Sequence, residues 1–188
     1  MPKPRFIYIN GYPGVGKLTV ARALCSMLPN AKLFDNHSLI DATSVIFERS
    51  MPEYQPLRQK MRRAVLGAIA TSESTKDITW IFTDSQSSDE VGSSAVKDYA
   101  SAAAVRGSAL ISIILTCEIE ENVKRLTSPS RGGTNTKLTD VGILRETRDT
   151  EDIYHFGGPL ELEIDVTTKT AAAVAQDISS FLDLVEDY

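Results

Sequence analysis

Three glycines and a lysine lie close together near the start of the chain, in the stretch NGYPGVGKLTV at residues 10–20. A glycine-rich turn lets successive backbone N–H groups point toward one anion, and a helix that begins there adds the positive end of its dipole. Gly11, Gly16 and Lys17 fit the Walker A pattern G-x-x-x-x-G-K-[S/T], in which the lysine reaches the β- and γ-phosphates of a nucleotide. The predicted nucleotide-binding residues of this loop are Gly11, Pro13, Gly14, Val15, Gly16, Lys17, Leu18 and Thr19.

Leu18 occupies the position where the pattern has a serine or threonine hydroxyl that holds Mg²⁺. Thr19 comes one residue later, about 100° further around a helix axis, so it reaches an α-phosphate more readily than the metal. A metal ion therefore needs another anchor. Asp35 and Asp84 are the predicted metal ligands, because each ends an apolar run and because Mg²⁺ needs only one or two carboxylates besides phosphate oxygens and water.

The apolar pattern predicts the elements that position these residues. Short runs rich in β-branched and aromatic residues predict strands at 5–10, 31–35, 78–84, 109–116 and 160–165. Stretches of helical character alternate with them, at 17–28, 37–49, 55–73, 90–105 and from about residue 170 onward. This alternation is typical of an α/β fold in which helices cover a parallel sheet. Parallel strands end at one edge of the sheet, so Asp35 and Asp84 should lie near the glycine loop.

Two further residues follow the second predicted strand. Asp35 is suited to orient or deprotonate an acceptor hydroxyl, and the alternative is a helix-capping carboxylate. His37 is suited to accept the hydroxyl proton near neutral pH, and the alternative is a capping or packing histidine. Asn36 is the predicted N-cap of the helix at 37–49.

Charged residues elsewhere add to a possible substrate site. Arg58 and Arg62 are four residues apart on the helix predicted at 55–73, where they could clamp an anionic substrate or could simply be solvated. Asp84 ends the third apolar strand, at the position where phosphate-loop proteins place a magnesium-linked carboxylate. The predicted substrate-binding set is Asp35, His37, Arg58, Arg62 and Asp84.

Composition limits the classes of partner. The chain has 188 residues, of which 42% are hydrophobic and 24% charged, and we expect one domain over residues 1–188. No apolar run approaches the roughly 20 residues that cross a bilayer, and the first ten residues lack a signal-peptide core, so we expect a soluble, cytoplasmic protein with no membrane partner. A net charge of −5 argues against nucleic acid as a partner. A small molecule is the predicted partner, and the sequence carries no signal for the oligomeric state.

The stretches FIYINGYPGVGKLTVARAL and LFDNHSLID resemble small P-loop kinases, a group of AAA-like and shikimate-kinase-like ATPases within the nucleoside and small-molecule kinase superfamily. In that group a methionine or leucine and then a threonine often follow the loop lysine, so Leu18 fits the resemblance. The later stretches EENVKRLTSPSR and TKLTD are similar to the lid of the group and the helix before it. The resemblance therefore covers nearly the whole chain.

The resemblance implies a three-layer α/β/α P-loop NTPase domain with a five-stranded parallel sheet of order 2-3-1-4-5 and a lid at about residues 128–140. It also implies ATP and Mg²⁺ as cofactors, and an enzyme that transfers the γ-phosphoryl group to a small-molecule acceptor. Phosphoryl transfer depends on positioning and charge neutralisation, which makes Lys17, Asp35, His37 and Arg131 the predicted catalytic residues. Arg125, at the end of the helix before the lid, is predicted to bind the nucleotide.

Two departures from shikimate kinase concern the acceptor. That enzyme carries Asp-x-Asp after the second strand, whereas Asp35 here matches the first aspartate and His37 replaces the second. Its glycine-rich substrate loop after the third strand is replaced by TDSQSSDE. Shikimate is therefore not the predicted acceptor. The alternatives to a kinase are a regulatory nucleotide-binding module that lost turnover with the magnesium hydroxyl, and a plain NTPase.

Overall fold

The computed structural model describes residues 3–128 and 138–185, and within them five strands form one sheet. The strands are β1 Phe6–Gly11, β2 Ala31–Asp35, β3 Thr79–Thr83, β4 Leu110–Thr116 and β5 Glu161–Asp165. All neighbouring strands pair in parallel, in the order β2-β3-β1-β4-β5. The predicted fold class and strand order are confirmed, and each predicted strand end lies within one residue of the observed end.

Helices connect the strands. They are α1 Lys17–Met27, α2 His37–Ser44, α3 Tyr54–Thr71, α4 Glu90–Arg106, α5 Ile119–Leu126, α6 Val141–Thr150 and α7 Ala171–Leu184. Asp89, Asp140 and Thr170 begin α4, α6 and α7, because each side chain accepts a hydrogen bond from a backbone N–H of the first turn. The predicted helix at 37–49 ends early, at Ser44, because residues 43–46 are four poor helix formers in succession.

Successive side chains of β1 belong alternately to two apolar clusters, one on each face of the sheet. Ile7 and Ile9 lie in one apolar cluster with residues of α1 and α7, whereas Phe6 and Tyr8 lie in a second cluster with residues of α3 and α4. Successive side chains of a strand point to opposite faces, so helices cover both faces of the sheet. The result is the predicted three-layer α/β/α arrangement, and it places the carboxyl ends of β1, β2 and β3 at one edge.

The two cysteines and the lengths of the helices complete the description of the fold. Cys117 is buried, Cys25 is half-buried, and both are free thiols. In the part of the chain that the structure describes, the helices are too short or too polar to cross a bilayer.

Candidate active site

The glycine loop joins β1 to α1 at the carboxyl edge of the sheet. Gly11, Gly14 and Gly16 have φ angles of 147°, 90° and 110°. A Cβ on Gly11 would lie 2.4 Å from the carbonyl oxygen of Leu115, and a Cβ on Gly14 would lie 2.7 Å from Nδ2 of Asn122. Only glycine fits these two positions. Gly16 immediately precedes the first turn of α1, so the loop delivers its amides to a helix N-terminus, an arrangement that binds phosphate.

Lys17 reaches back across the loop. Its Nζ donates hydrogen bonds to the carbonyl oxygens of Gly11 at 2.5 Å and Tyr12 at 2.9 Å. The ammonium group is therefore held beside the loop amides, where phosphate oxygens could replace these carbonyls as acceptors. Leu18 and Thr19 lie next to it on the first turn, and Leu18 is half-buried with no side-chain oxygen to offer a metal.

A cleft of about 930 Å³ opens beside this loop, within the range of roughly 300–1,000 Å³ that is usual for small-molecule sites. The predicted residues on its loop side are Pro13, Gly14, Gly16, Lys17, Leu18, Thr19 and Arg125. The predicted residues on its other side are Asp35, His37, Arg58, Arg62 and Asp84. The Val15 side chain packs instead in the core, with 1% of its surface exposed. The fold thus brings most of the predicted residues to one cleft.

Asp84 is the most constrained of these residues. Its Oδ1 accepts hydrogen bonds from Nδ2 of Asn36 at 2.6 Å, from Nε2 of Gln86 at 2.8 Å and from the backbone N–H of Ser85 at 2.8 Å. Its Oδ2 accepts one from the hydroxyl of Tyr99 at 3.2 Å. Burial, and after it the charge of Asp84, raises the pKa of Tyr99, which keeps this hydroxyl a donor. Both carboxylate oxygens accept hydrogen bonds from protein donors, which fixes Asp84 at the edge of the sheet, and its metal and substrate contacts stay predictions.

Asp35 is more open. Its Oδ1 accepts hydrogen bonds from Oγ1 of Thr83 at 2.8 Å and from the backbone N–H of His37 at 3.2 Å. Both bonds use the same oxygen, so Oδ2 remains available to a ligand. Asn36 occupies the predicted N-cap position of α2, but its side chain makes no capping bond and donates instead to Asp84, 48 residues away.

The two arginines on α3 differ sharply in surroundings. Arg62 lies 2.7 Å from Oδ2 of Asp98 on α4, and the two side chains are 6% and 10% exposed. Arg63 contacts the other oxygen of Asp98 at 2.8 Å. Arg62 therefore joins α3 to α4 through an ion pair that compensates its charge, and the substrate contact of Arg62 stays a prediction.

Arg58 lies one turn earlier on the same helix and has no such partner. Its guanidinium lies 5.8 Å from the centre of the Tyr54 ring and its Nη1 contacts Gln55 at 3.4 Å. Among the described residues no carboxylate pairs with it, and its Nε is buried without a hydrogen-bond acceptor. Of the two arginines, Arg58 is the one with unused charge facing the cleft.

Arg125 lies against the loop rather than in open solvent. It donates hydrogen bonds to the carbonyl oxygens of Val15 at 2.9 Å, Val166 at 2.8 Å and Thr167 at 3.2 Å. Its Nε pairs with Glu121 at 2.8 Å, and this bond holds the pKa of Glu121 below its usual range. The nucleotide-binding prediction for Arg125 thus concerns a side chain whose donors already meet protein acceptors.

Sequence reasoning missed Asn122, which lies in α5 one turn before Arg125. It is fully buried and donates from Nδ2 to the carbonyl oxygen of Pro13 at 2.8 Å. The available signal was its position four residues before Leu126, which places an amide on the buried face of α5. Predicted lid residues 129–137, including Arg131, lie outside the described residues.

No protein-family model and no curated protein matches the chain. Solved structures do match it over almost its full length. The tunicamycin resistance protein of Deinococcus radiodurans is 21% identical, with 95% of this chain and 95% of that chain covered and a TM-score of 0.59. The APS kinase of Mycobacterium tuberculosis is 16% identical, with 97% of this chain and 99% of that chain covered and a TM-score of 0.62.

The shikimate kinase of Acinetobacter baumannii is 19% identical, with 98% of this chain and 95% of that chain covered and a TM-score of 0.59. At these identities the likeness establishes the fold. The sheet order, the glycine loop and the flanking helices are those of the P-loop kinase fold. The resemblance inferred from the loop sequence is confirmed at this level.

Proposed function

We propose that the chain is an ATP-dependent phosphotransferase that moves the γ-phosphoryl group of ATP to a hydroxyl group of a small-molecule acceptor. The observation that carries this proposal is that the Lys17 loop and the open oxygen of Asp35 line the same cleft. A nucleotide and an acceptor bound at these two places would have their reacting groups in one cleft, and positioning is the main requirement of phosphoryl transfer.

The loop side has the chemistry of a nucleotide site. The amides at Gly14 and Gly16 and the ammonium of Lys17 would bind phosphate oxygens and balance their charge. A known parallel supports this assignment, since the APS kinase of the same fold was solved in complex with AMPPNP and APS. The identity of the nucleotide base is part of the proposal.

Magnesium fits this cleft as an ion held largely by the nucleotide. Among the described residues no three histidine, cysteine or acidic side chains cluster as a metal site. Asp35 offers one open carboxylate oxygen, and Mg²⁺ usually keeps several waters and takes only one or two protein carboxylates in phosphate sites. Bound there, the ion would neutralise charge on the phosphates. Asp84, whose oxygens already accept protein hydrogen bonds, would act on it only through other groups.

The acceptor side favours a hydroxylated anion. Asp35 would accept a hydrogen bond from the acceptor hydroxyl through Oδ2 and so orient it toward the loop. His37, at the start of α2, lines the same wall. Arg58 brings a half-buried cation with no carboxylate partner among the described residues, and an anionic group of the acceptor would supply the opposite charge.

Calorimetric titration with ATP, with and without Mg²⁺, tests the nucleotide half of the proposal. In the same samples, ADP release is followed while pools of nucleosides, sugars, amino alcohols and hydroxy acids are added. We expect magnesium-dependent binding and ADP release stimulated by a pool that contains hydroxylated anions. Lys17→Ala should abolish measurable ATP binding, and Lys32→Ala, an exposed lysine on β2, should leave it unchanged.

Two other results would each replace the proposal. Tight ATP binding that needs no Mg²⁺ and gives no turnover with any pool would identify a regulatory nucleotide-binding module. ADP release that no pool stimulates would identify a plain NTPase. If the Lys17→Ala variant binds ATP with unchanged affinity, the glycine loop is not the nucleotide-binding site.

A further inference from the structure

Helix α5 runs behind the glycine loop and holds it at two points. Asn122 donates to the carbonyl oxygen of Pro13 at 2.8 Å, and Arg125 donates to the carbonyl oxygen of Val15 at 2.9 Å. The two side chains are three residues apart, so they project from the same face of the helix. The two side chains therefore bind the carbonyl oxygens of Pro13 and Val15, and neither of them binds the carbonyl oxygen of Gly14, which lies between these two.

This alternation fixes where the loop amides point. In a trans peptide the C=O and the following N–H point in opposite directions, and the described residues contain no cis peptide. With the Pro13 and Val15 carbonyls turned toward α5, the N–H groups of Gly14 and Gly16 turn to the other side, toward the cleft that both glycines line. We propose that Asn122 and Arg125 are positioning residues that orient these two amides toward phosphate, an inference that rests on the proposed nucleotide site.

The Asn122 anchor is itself held in place. Arg148 on α6 donates from Nη1 to Oδ1 of Asn122 at 3.0 Å, which leaves Nδ2 directed at the loop. The Arg148 guanidinium also lies 4.9 Å from the centre of the Tyr12 ring, and the Tyr12 hydroxyl donates to the Glu151 carbonyl at 2.7 Å. A fully buried amide that is fixed at both ends has one orientation, so it can impose one on the Pro13 peptide.

The Arg125 anchor is fixed by different groups. Glu121 pairs with its Nε, and the carbonyls of Val166 and Thr167, just after β5, accept from its Nη2. Three sets of protein acceptors therefore surround a guanidinium that the sequence assigned to nucleotide contact. Because the two anchors share no partner, each should control its own amide.

The experiment uses the ¹⁵N-labelled full chain and inorganic triphosphate as the probe, and follows the amide resonances of Gly14 and Gly16. A hydrogen bond to an anion shifts an amide proton downfield, so both resonances should shift in the wild type. In Asn122→Ala the Gly14 shift should fall by half or more while the Gly16 shift is retained, and in Arg125→Ala the pattern should reverse. The Kd for triphosphate should rise about tenfold in each, equivalent to about 1.4 kcal/mol.

Arg145→Ala is the matched control, because Arg145 is on α6 like Arg148 but pairs with Glu120 at 3.3 Å on the exposed side. It should leave both shifts and the Kd unchanged. Arg148→Ala leaves Asn122 in place but removes the group that orients it, so it should reduce the Gly14 shift. This variant replaces Asn122→Ala in the experiment if Asn122→Ala folds poorly. Equal changes at both glycines, or none in a folded Asn122 variant, would overturn the positioning role. A wild type that does not bind triphosphate would overturn the nucleotide site instead.

Discussion

Replacing Arg58 and Arg62 one at a time separates a substrate contact from a structural one on the same helix. Both are arginines on α3, one turn apart, and both line the cleft. Arg62 is paired with Asp98 and 6% exposed, whereas Arg58 has no carboxylate partner among the described residues. Arg62→Ala should therefore lower the free energy of unfolding, and Arg58→Ala should weaken acceptor binding.

The expected size follows from the contacts of Asp98. Removing one partner of a buried ion pair costs about 3–5 kcal/mol when the other charge is left alone. Here Arg63 remains 2.8 Å from Asp98, so the carboxylate keeps one cation. We expect Arg62→Ala to cost about 2–3 kcal/mol. Arg58→Ala should cost below about 1 kcal/mol, since it loses one cation–π contact with Tyr54.

Urea denaturation measures the stability of each variant, and the KM for the acceptor that stimulates ADP release measures the substrate contact. Asp98→Ala should destabilise about as much as Arg62→Ala, and the double variant should lose less than the sum because the two residues share one interaction. An Arg62→Ala protein within about 0.5 kcal/mol of the wild type, with a raised acceptor KM, would restore the anion clamp and refute the structural assignment.

Other changes test the loop, the acceptor side and the strand β5. Leu18→Ser should keep or strengthen the magnesium dependence of ATP binding in calorimetry, and a collapse of ATP binding in a folded variant would count against the site. Asp35→Asn should cut phosphoryl transfer by about 10²–10⁴-fold with little change in ATP affinity, and equal losses would make Asp35 structural. Burial raises the pKa of Glu161, but hydrogen bonds from Ser112, His155 and a backbone N–H outweigh this and bring it below the usual 4.5. Its stabilisation is complete above pH 4.5 and disappears as pH falls through the lower folded-state pKa, so Glu161→Gln should lower Tm at pH 7 and match the wild type in strong acid.

The fold was largely predictable because it depends on local patterns. The apolar runs predicted the strands to within one residue, and the helix predicted at 90–105 ends at Arg106, before Gly107 at a φ of 68°. The strand order came from the resemblance, because periodicity identifies strands without ordering them. The end of α2 was misplaced, since the apolar pattern continued past the residues whose propensities stop the helix.

The part of the candidate site that is formed by local backbone structure was predictable from the sequence. The roles of side chains whose partners are distant in sequence were less predictable. The spacing of Gly11, Gly16 and Lys17 specifies the loop by itself. Nothing in helical periodicity separates Arg58 from Arg62, because the difference is Asp98, 36 residues from Arg62. Asn36 stands at the N-cap position of α2, yet its amide donates to the buried carboxylate of Asp84, a partner 48 residues away that no local rule indicates.

The same distinction bears on Leu18. In the Walker A pattern the side chain at that position is a metal ligand, whereas the loop backbone is held from outside the loop. Asn122 donates to the carbonyl oxygen of Pro13, and Arg125 donates to that of Val15. Under the proposed function, a change at residue 18 should leave these two anchors in place and alter only how the metal is bound. A leucine at this position is therefore compatible with the proposed kinase activity, because the groups proposed to bind and orient the phosphates lie elsewhere in the structure.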